Sequence, residues 1–281
     1  MKDSRQTLRR IDRTIALIFT SCLQRNLRVL NRRNGKEKSL ELAASGEFYS
    51  DMKSNRAFLF LDLLFAVAAC RLSAAEPQFV PLFTEDGVPK GWLVRAWDDV
   101  RNPAQGNPVW KVEHGVLHGG EPRGSWLLSG KEYGDFELEF EFKLGETGNS
   151  GCALRVPLYG DPAFDGMELQ MADFRYNPQA KDSELTGGIY RAIAPTKQVY
   201  KPTQWNKYHV LLKGSHLKVV LNGETIHDLN LDQQNQSVKR HNGSDAPPVK
   251  DRPRKGRIGF QELSRGAEHA QIRNVRIKVL D

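Results

Sequence analysis

The chain has 281 residues, with 41 Lys/Arg against 34 Asp/Glu and three cysteines. Its formal charge of +7 is uneven: residues 1–51 hold 11 Lys/Arg and 6 Asp/Glu, whereas residues 76–281 hold 27 of each. The main part is therefore formally neutral, and with no basic stripe interleaved with aromatics it offers nothing for a nucleic-acid partner.

Residues 1–51 form a basic extension whose short apolar patch, Ile15 to Phe19, is far below the roughly 20 residues needed to span a bilayer. From Met52 the pattern changes. Lys53 and Arg56 precede an apolar run from Ala57 to Ala69, broken only by Asp62, and small residues follow at Ser73, Ala74 and Ala75. This layout predicts a secretory signal peptide over 52–75, cleaved after Ala75, and an exported, periplasmic or secreted protein. A buried core helix is the competing reading of so short an apolar run, but the basic flank and small-residue exit argue against it. Val67-Ala68-Ala69-Cys70 also resembles a lipobox, so Cys70 is a candidate lipid anchor and the chain's one expected link to a membrane. Since a signal peptide belongs at a chain start, residues 1–51 read as a mis-assigned extension, with translation beginning at Met52.

After Ala75 only Cys152 remains, so no internal disulfide is expected. Flanked by Gly151 and Ala153 in an apolar stretch, it reads as a small buried hydrophobe. Neither C-x-x-C nor H-E-x-x-H occurs, and none of the seven histidines has a spacing that argues for a role.

The residues from 76 onward have a period of two. In 135–143, four apolar side chains alternate with charged ones, which predicts a strand with one buried and one wet face, Glu137, Glu139 and Glu141 lying on the wet side. Further strands are predicted at 109–113, 116–118, 126–129, 152–156, 167–171, 188–191, 205–213, 217–221, 225–229, 257–262 and 270–279. Asn222-Gly223 is the signal of a type I′ hairpin. A dozen short strands between Gly, Pro and Asp turns predict an all-β fold, a two-sheet antiparallel β-sandwich of jelly-roll type spanning 76–281. The polar stretch 232–255 is its one long loop, of a length that is often functional.

Several blocks are familiar in their order. Phe79-Val80-Pro81-Leu82-Phe83, Gly91-Trp92, Trp110 with Gly115-Val116-Leu117 and Tyr133-Gly134-Asp135-Phe136 come first. Asn149-Ser150-Gly151 with Arg155, Gly166-Met167-Glu168-Leu169-Gln170 with Asp173, and Thr186-Gly187-Gly188-Ile189-Tyr190 follow. Lys201-Pro202 with Trp205-Asn206, Gly256-Arg257-Ile258-Gly259-Phe260-Gln261 and Arg273-Asn274-Val275 complete the series. Together, over Phe79 to Leu280, they resemble the 3-keto-disaccharide hydrolase domain family. The resemblance implies a concanavalin A-like sandwich with a sugar-binding sheet, and activity on glycosides oxidised to a ketone at C3. The chain departs from the family where an acid and a His often follow the Gly-x-Ile-Gly-x-Gln block: here Glu262-Leu263-Ser264 follows, and Glu262 is a substitute for the acid.

A C3 ketone acidifies the C2 hydrogen, so such a glycoside can lose its C1 substituent by elimination and take up water for net hydrolysis. The route needs a base at C2, a donor or cation at the enolate oxygen and an acid for the leaving group. Glu168 and Gln170, two apart on one predicted strand, share a face, and Asp173 follows near its end. The candidate catalytic residues are Glu168 as base, Arg155 as its cationic partner, and Asp173 or Tyr190 as proton donor. Asn149, Gln170, Trp205, Gln261 and Glu262 are candidates for binding sugar. Plainer roles stand beside these: a Glu168–Arg155 ion pair, backbone satisfaction by Gln170, a turn cap at Asp173, and core or rim packing by Tyr190 and Trp205. No motif calls for a cofactor, and whether a divalent metal such as Ca²⁺ assists the enolate is left open, as are the sugar, its linkage and the oligomeric state. The alternatives to a keto-glycoside enzyme are a conventional retaining glycosidase with two carboxylates about 5 to 5.5 Å apart, a non-catalytic carbohydrate-binding module and a structural interaction module.

Overall fold

A computed structural model of the chain describes residues 77–266 and 268–280. The expected extension 1–51, the signal peptide 52–75 and the lipidation candidate Cys70 lie outside the described residues. Within them, two antiparallel sheets face each other, as the alternating sequence predicts. The larger contains β1 (Val80–Pro81), β3 (Val109–Glu113), β4 (Val116–Glu121), β6 (Phe136–Lys143), β9 (Asn206–Lys213), β10 (His216–Leu221), β11 (Glu224–Asn230) and β13 (Gln271–Val279). Its order is β11-β10-β9-β6-β13-β4-β3, with β1 also paired to β13. The smaller sheet runs β2 (Trp92–Ala96), β5 (Ser125–Ser129), β12 (Arg257–Glu262), β7 (Asn149–Val156), β8 (Met167–Ala172).

Alternation fixes which way each strand of the larger sheet faces. Phe136, Leu138, Phe140 and Phe142 of β6 point inward with Tyr208, Val210 and Leu212 of β9, all almost fully buried. The two sheets meet where the Phe140 ring packs edge-on against Phe260 of β12, centroids 5.2 Å apart. Outside, Glu137, Glu139 and Glu141 form the expected wet face, each ion-paired: Glu137 with Lys278, Glu139 with Arg276 and Glu141 with Arg273. The β10–β11 hairpin turns at Asn222 and Gly223 with φ of 52° and 87°, the two left-handed residues of a type I′ turn.

The smaller sheet is different, because β5, β7 and β8 are buried on both faces. One face joins the core; the other lies under long connections that include 157–166, 173–201 and 232–255. That cover explains why Asn149–Val156 does not alternate in polarity.

The predicted strand at 188–191 is not a strand. Ile189 makes isolated bridges to Leu169 and Ile193, and the chain then turns through Arg191 at φ 59°. The sequence reading also lacks β1, β2 and a one-turn helix, α1 (Pro162–Asp165). Cys152 is buried in the core, and burial pushes its thiol up, as expected of a structural cysteine.

Candidate functional site

The outward face of the smaller sheet floors a cleft of about 510 Å³. Register assembles the floor: Gln261 pairs with Trp126, Gly151 with Gln170 and Ala153 with Glu168. Gly259 opposite Ala153 and Phe260 opposite Cys152 bring Gln261 beside Gly151. Gln261, Gly151 and Gln170 thus form one row, with Glu168 in the next. A Cβ at Gly151 would overlap the Glu168 carboxyl, which leans across it, so a larger residue there would displace that carboxyl.

Glu168 is 2% exposed, and its Oε1 has no hydrogen-bond partner. Burial, reinforced by the charge of Asp161, pushes its pKa well above its ordinary value and favours the neutral acid. Asp161 stands at the start of α1, where it caps the helix by accepting from the Ala163 N–H at 3.0 Å. It is 9% exposed, and burial raises its pKa to about 7 against the pull of that hydrogen bond, with Asp165 adding to the rise and Arg240 opposing it. The cleft thus holds a floor carboxyl driven toward its neutral form and a second, at the start of α1, poised between its forms. That division is how a site runs acid and base chemistry at one pH.

Tyr190 closes the cleft above Glu168. Its N–H donates to the Glu168 carbonyl at 3.0 Å, and its ring packs on Phe164 and His241, centroids 5.9 and 5.8 Å away. Burial and then the Glu168 charge raise the phenol, which stays protonated. His241, from the long loop 232–255, also contacts Trp97 at 5.6 Å. Burial, and then Arg191, lower its pKa, keeping the imidazole neutral near pH 7. Asn149 lines the cleft as well, with a buried Oδ1 that has no partner. Gln170 lines the cleft while its Oε1 accepts from Met171 N–H at 3.0 Å, so its backbone role is present too.

Four expected site residues stand differently. Arg155 does not line the cleft: at φ 53° it sits in a bulge where β7 and β12 slip register, which takes it out of the outward-facing series. Its guanidinium donates to the Gly134 and Gly214 carbonyls and to Asp135 Oδ1 at 2.7, 2.8 and 2.9 Å. It ties β7 to the larger sheet and is not the partner of Glu168. Trp205 lies under the Arg273 guanidinium, 3.9 Å from its ring, away from the cleft. Glu262 follows the cleft-facing Gln261 and so points inward, fully buried, accepting from Ser264 N–H at 2.7 Å and Ala270 N–H at 2.9 Å. It anchors the β12–β13 connection, with His269 Nδ1 3.7 Å from its Oε1. Leu263 lines the cleft next to it, so the imidazole of this cleft comes from His241.

Asp173 does line the cleft, but its carboxylate is held by Arg175 at 2.7 and 2.9 Å and by the Tyr200 hydroxyl at 3.1 Å. Burial would raise its pKa, but these bonds outweigh burial and hold it below the ordinary value, which unfits it as a proton donor. The sequence reading lacks Asp161, Trp97 and His241. Asp161-Pro162 carries a helix-start signature, which marks a cap but not an acid in a cleft. Among the described residues no three His, Cys, Asp or Glu side chains converge to hold a metal ion.

Fold and cleft together define a β-sandwich protein with a carboxyl-bearing pocket on one sheet. The chain belongs to the 3-keto-alpha-glucoside-1,2-lyase-like domain family, which it matches over residues 78–278. Two crystal structures from Parabacteroides distasonis ATCC 8503, each provisionally named a glycosyl hydrolase, are similar to it. One is 26% identical with a TM-score of 0.58, covering 72% of this chain and 100% of that one. The other is 28% identical with a TM-score of 0.56, covering 72% and 94%. No curated protein matches the sequence.

Proposed function

We infer that the protein is an exported enzyme that cleaves 3-keto-glycosides by elimination across C1 and C2, followed by hydration. The observation that carries this reading is the pair of buried carboxyls, Asp161 and Glu168, in one cleft with a buried, unpartnered Asn149 Oδ1 suited to a sugar hydroxyl, burial driving Glu168 further toward its neutral form than Asp161. In this reading the base is Asp161 instead of Glu168, because burial drives Glu168 further toward its neutral form. The ionised Asp161 takes the C2 proton, and the electron pair moves onto the ketone as an enolate. Protonated Glu168 donates a hydrogen bond to that enolate oxygen, as a neutral acid in an apolar site can. The ketone re-forms, the C1–O bond breaks, and the proton on Asp161 passes to the departing oxygen, leaving a C1=C2 double bond. Water then adds its oxygen to C1 and a proton to C2, so the sum is hydrolysis. Family membership and the two P. distasonis structures support glycoside chemistry in general; the keto-sugar preference rests on the family resemblance and on this ionisation pattern.

The test is incubation of the purified protein with 3-keto-trehalose, 3-keto-lactose and their unoxidised parents, following sugar release by mass spectrometry. Release from the keto-sugars alone, lost in Asp161→Asn and Glu168→Gln, is expected. Two carboxyls of unequal ionisation also suit a retaining glycosidase, and release from the parent sugars would replace the elimination reading with that one. Binding without release from any of them would make the protein a carbohydrate-binding module.

A further inference from the structure

The cleft does not end at Asp161. A second groove of about 720 Å³ opens beyond it, and the two share Trp97, Asp161 and His241 as a common wall. Both volumes lie in the range of small-molecule sites. In an elimination, C2 loses the proton and the adjacent C1 loses its substituent. Glu168 and Asn149, which line only the first cleft, assign the reacting ring to that cleft, and a base on the dividing wall then turns the C1–O bond toward the second groove.

The lining of the second groove suits a sugar. Tyr159, a residue 55% exposed, lines the groove and offers an aromatic ring for stacking on a pyranose. Asp165 is fixed by two hydrogen bonds from Arg240, at 2.6 and 2.7 Å, and Asp99 chelates Arg101. Such paired planar groups are held in place before a ligand arrives and carry no net charge. Asp98 has no ion-pair partner among the described residues, so together with Asp161 it leaves the groove negative.

We propose that this second groove is the leaving-group subsite, that it holds a neutral sugar residue stacked on Tyr159, and that it disfavours anionic leaving groups. This rests on the elimination reading for its orientation, but the groove's affinity for sugar can be measured without turnover.

The experiment compares kcat/KM for 3-keto-trehalose with that for methyl 3-keto-glucoside, whose leaving group is too small to reach the groove. It also titrates unoxidised trehalose into the protein by calorimetry. In Tyr159→Ala, the disaccharide-to-methyl preference is expected to fall about five- to tenfold, with trehalose affinity weakened to a similar degree. A 3-keto-glycoside with a uronic acid as leaving residue should be cleaved about tenfold less efficiently than its neutral counterpart, and Asp98→Asn should narrow that gap. An unchanged preference and unchanged trehalose affinity in Tyr159→Ala would overturn the subsite, and equal handling of the uronate would overturn its charge selection. If the wild-type protein cleaves no keto-sugar, the elimination reading fails, and the Tyr159 dependence of trehalose binding alone decides whether the groove binds sugar.

Discussion

Ionisation at Asp161 and Glu168 makes the cleft's chemistry accessible to a pH profile. With Asp161 titrating at about 7 and needed as the anion, kcat/KM for a keto-glycoside should rise across pH 6 to 8 and fall again only where Glu168 deprotonates. Asp161→Asn should abolish the acid limb along with nearly all turnover. Stability carries the opposite sign. Both groups keep protons in the fold that the unfolded chain loses near pH 4, so folding becomes less favourable as pH rises from there toward their folded values, by up to about 1.4 kcal/mol per pH unit for each group. Glu168→Gln, which cannot ionise, should therefore melt higher than the wild type at pH 8 and converge with it below pH 4, as measured by calorimetry. Period-two spacing in 167–171 is enough to put Glu168 and Gln170 on one face. Which of the cleft's acids is driven toward its neutral form is not legible there, because it depends on burial by segments remote in sequence.

Elements set where those residues stand. The α1 turn that begins at Asp161 is held by two arginines of 232–255: Arg240 through Asp165, and buried Arg252, which donates to the carbonyls of Ala163 and Gly166 at 3.1 Å each. Arg252→Ala removes both donors from buried acceptors, a loss of about 1–3 kcal/mol per carbonyl. It should lower kcat and displace the acid limb of the pH profile while leaving the far-UV circular dichroism of the sheets intact. Strands with strong alternation, such as β6 and β9, are legible from sequence because one face is dry and the other wet. The one-turn α1 shows in sequence only its Asp161-Pro162 start, and two features are not legible: β2, whose residues are mostly half-buried on both sides, and the bulge at Arg155. That single inserted residue moves Arg155 from the site to the joint between the sheets, and no period reveals it.

Across the whole molecule the two sheets divide the work. The larger sheet carries Phe136, Leu138, Phe140 and Phe142 inward and a ladder of ion pairs outward, and it contributes nothing to the cleft floor. Phe140→Ala, at the centre of the inter-sheet packing, should cost about 3–5 kcal/mol of stability in denaturant unfolding with little change in KM for the folded fraction. The smaller sheet lends its outer face to the cleft, and long connections complete the walls. The raised pKa values of Asp161 and Glu168 last only while those connections stay down. Lifting them lets water reach both carboxyls, whose pKa values fall back to the ordinary carboxylate range of about 4, so that both ionise at neutral pH. A partial opening of this protein would therefore announce itself as acid: in weakly buffered solution at pH 7, an indicator dye should register proton release at denaturant concentrations where activity disappears but the sandwich is still folded.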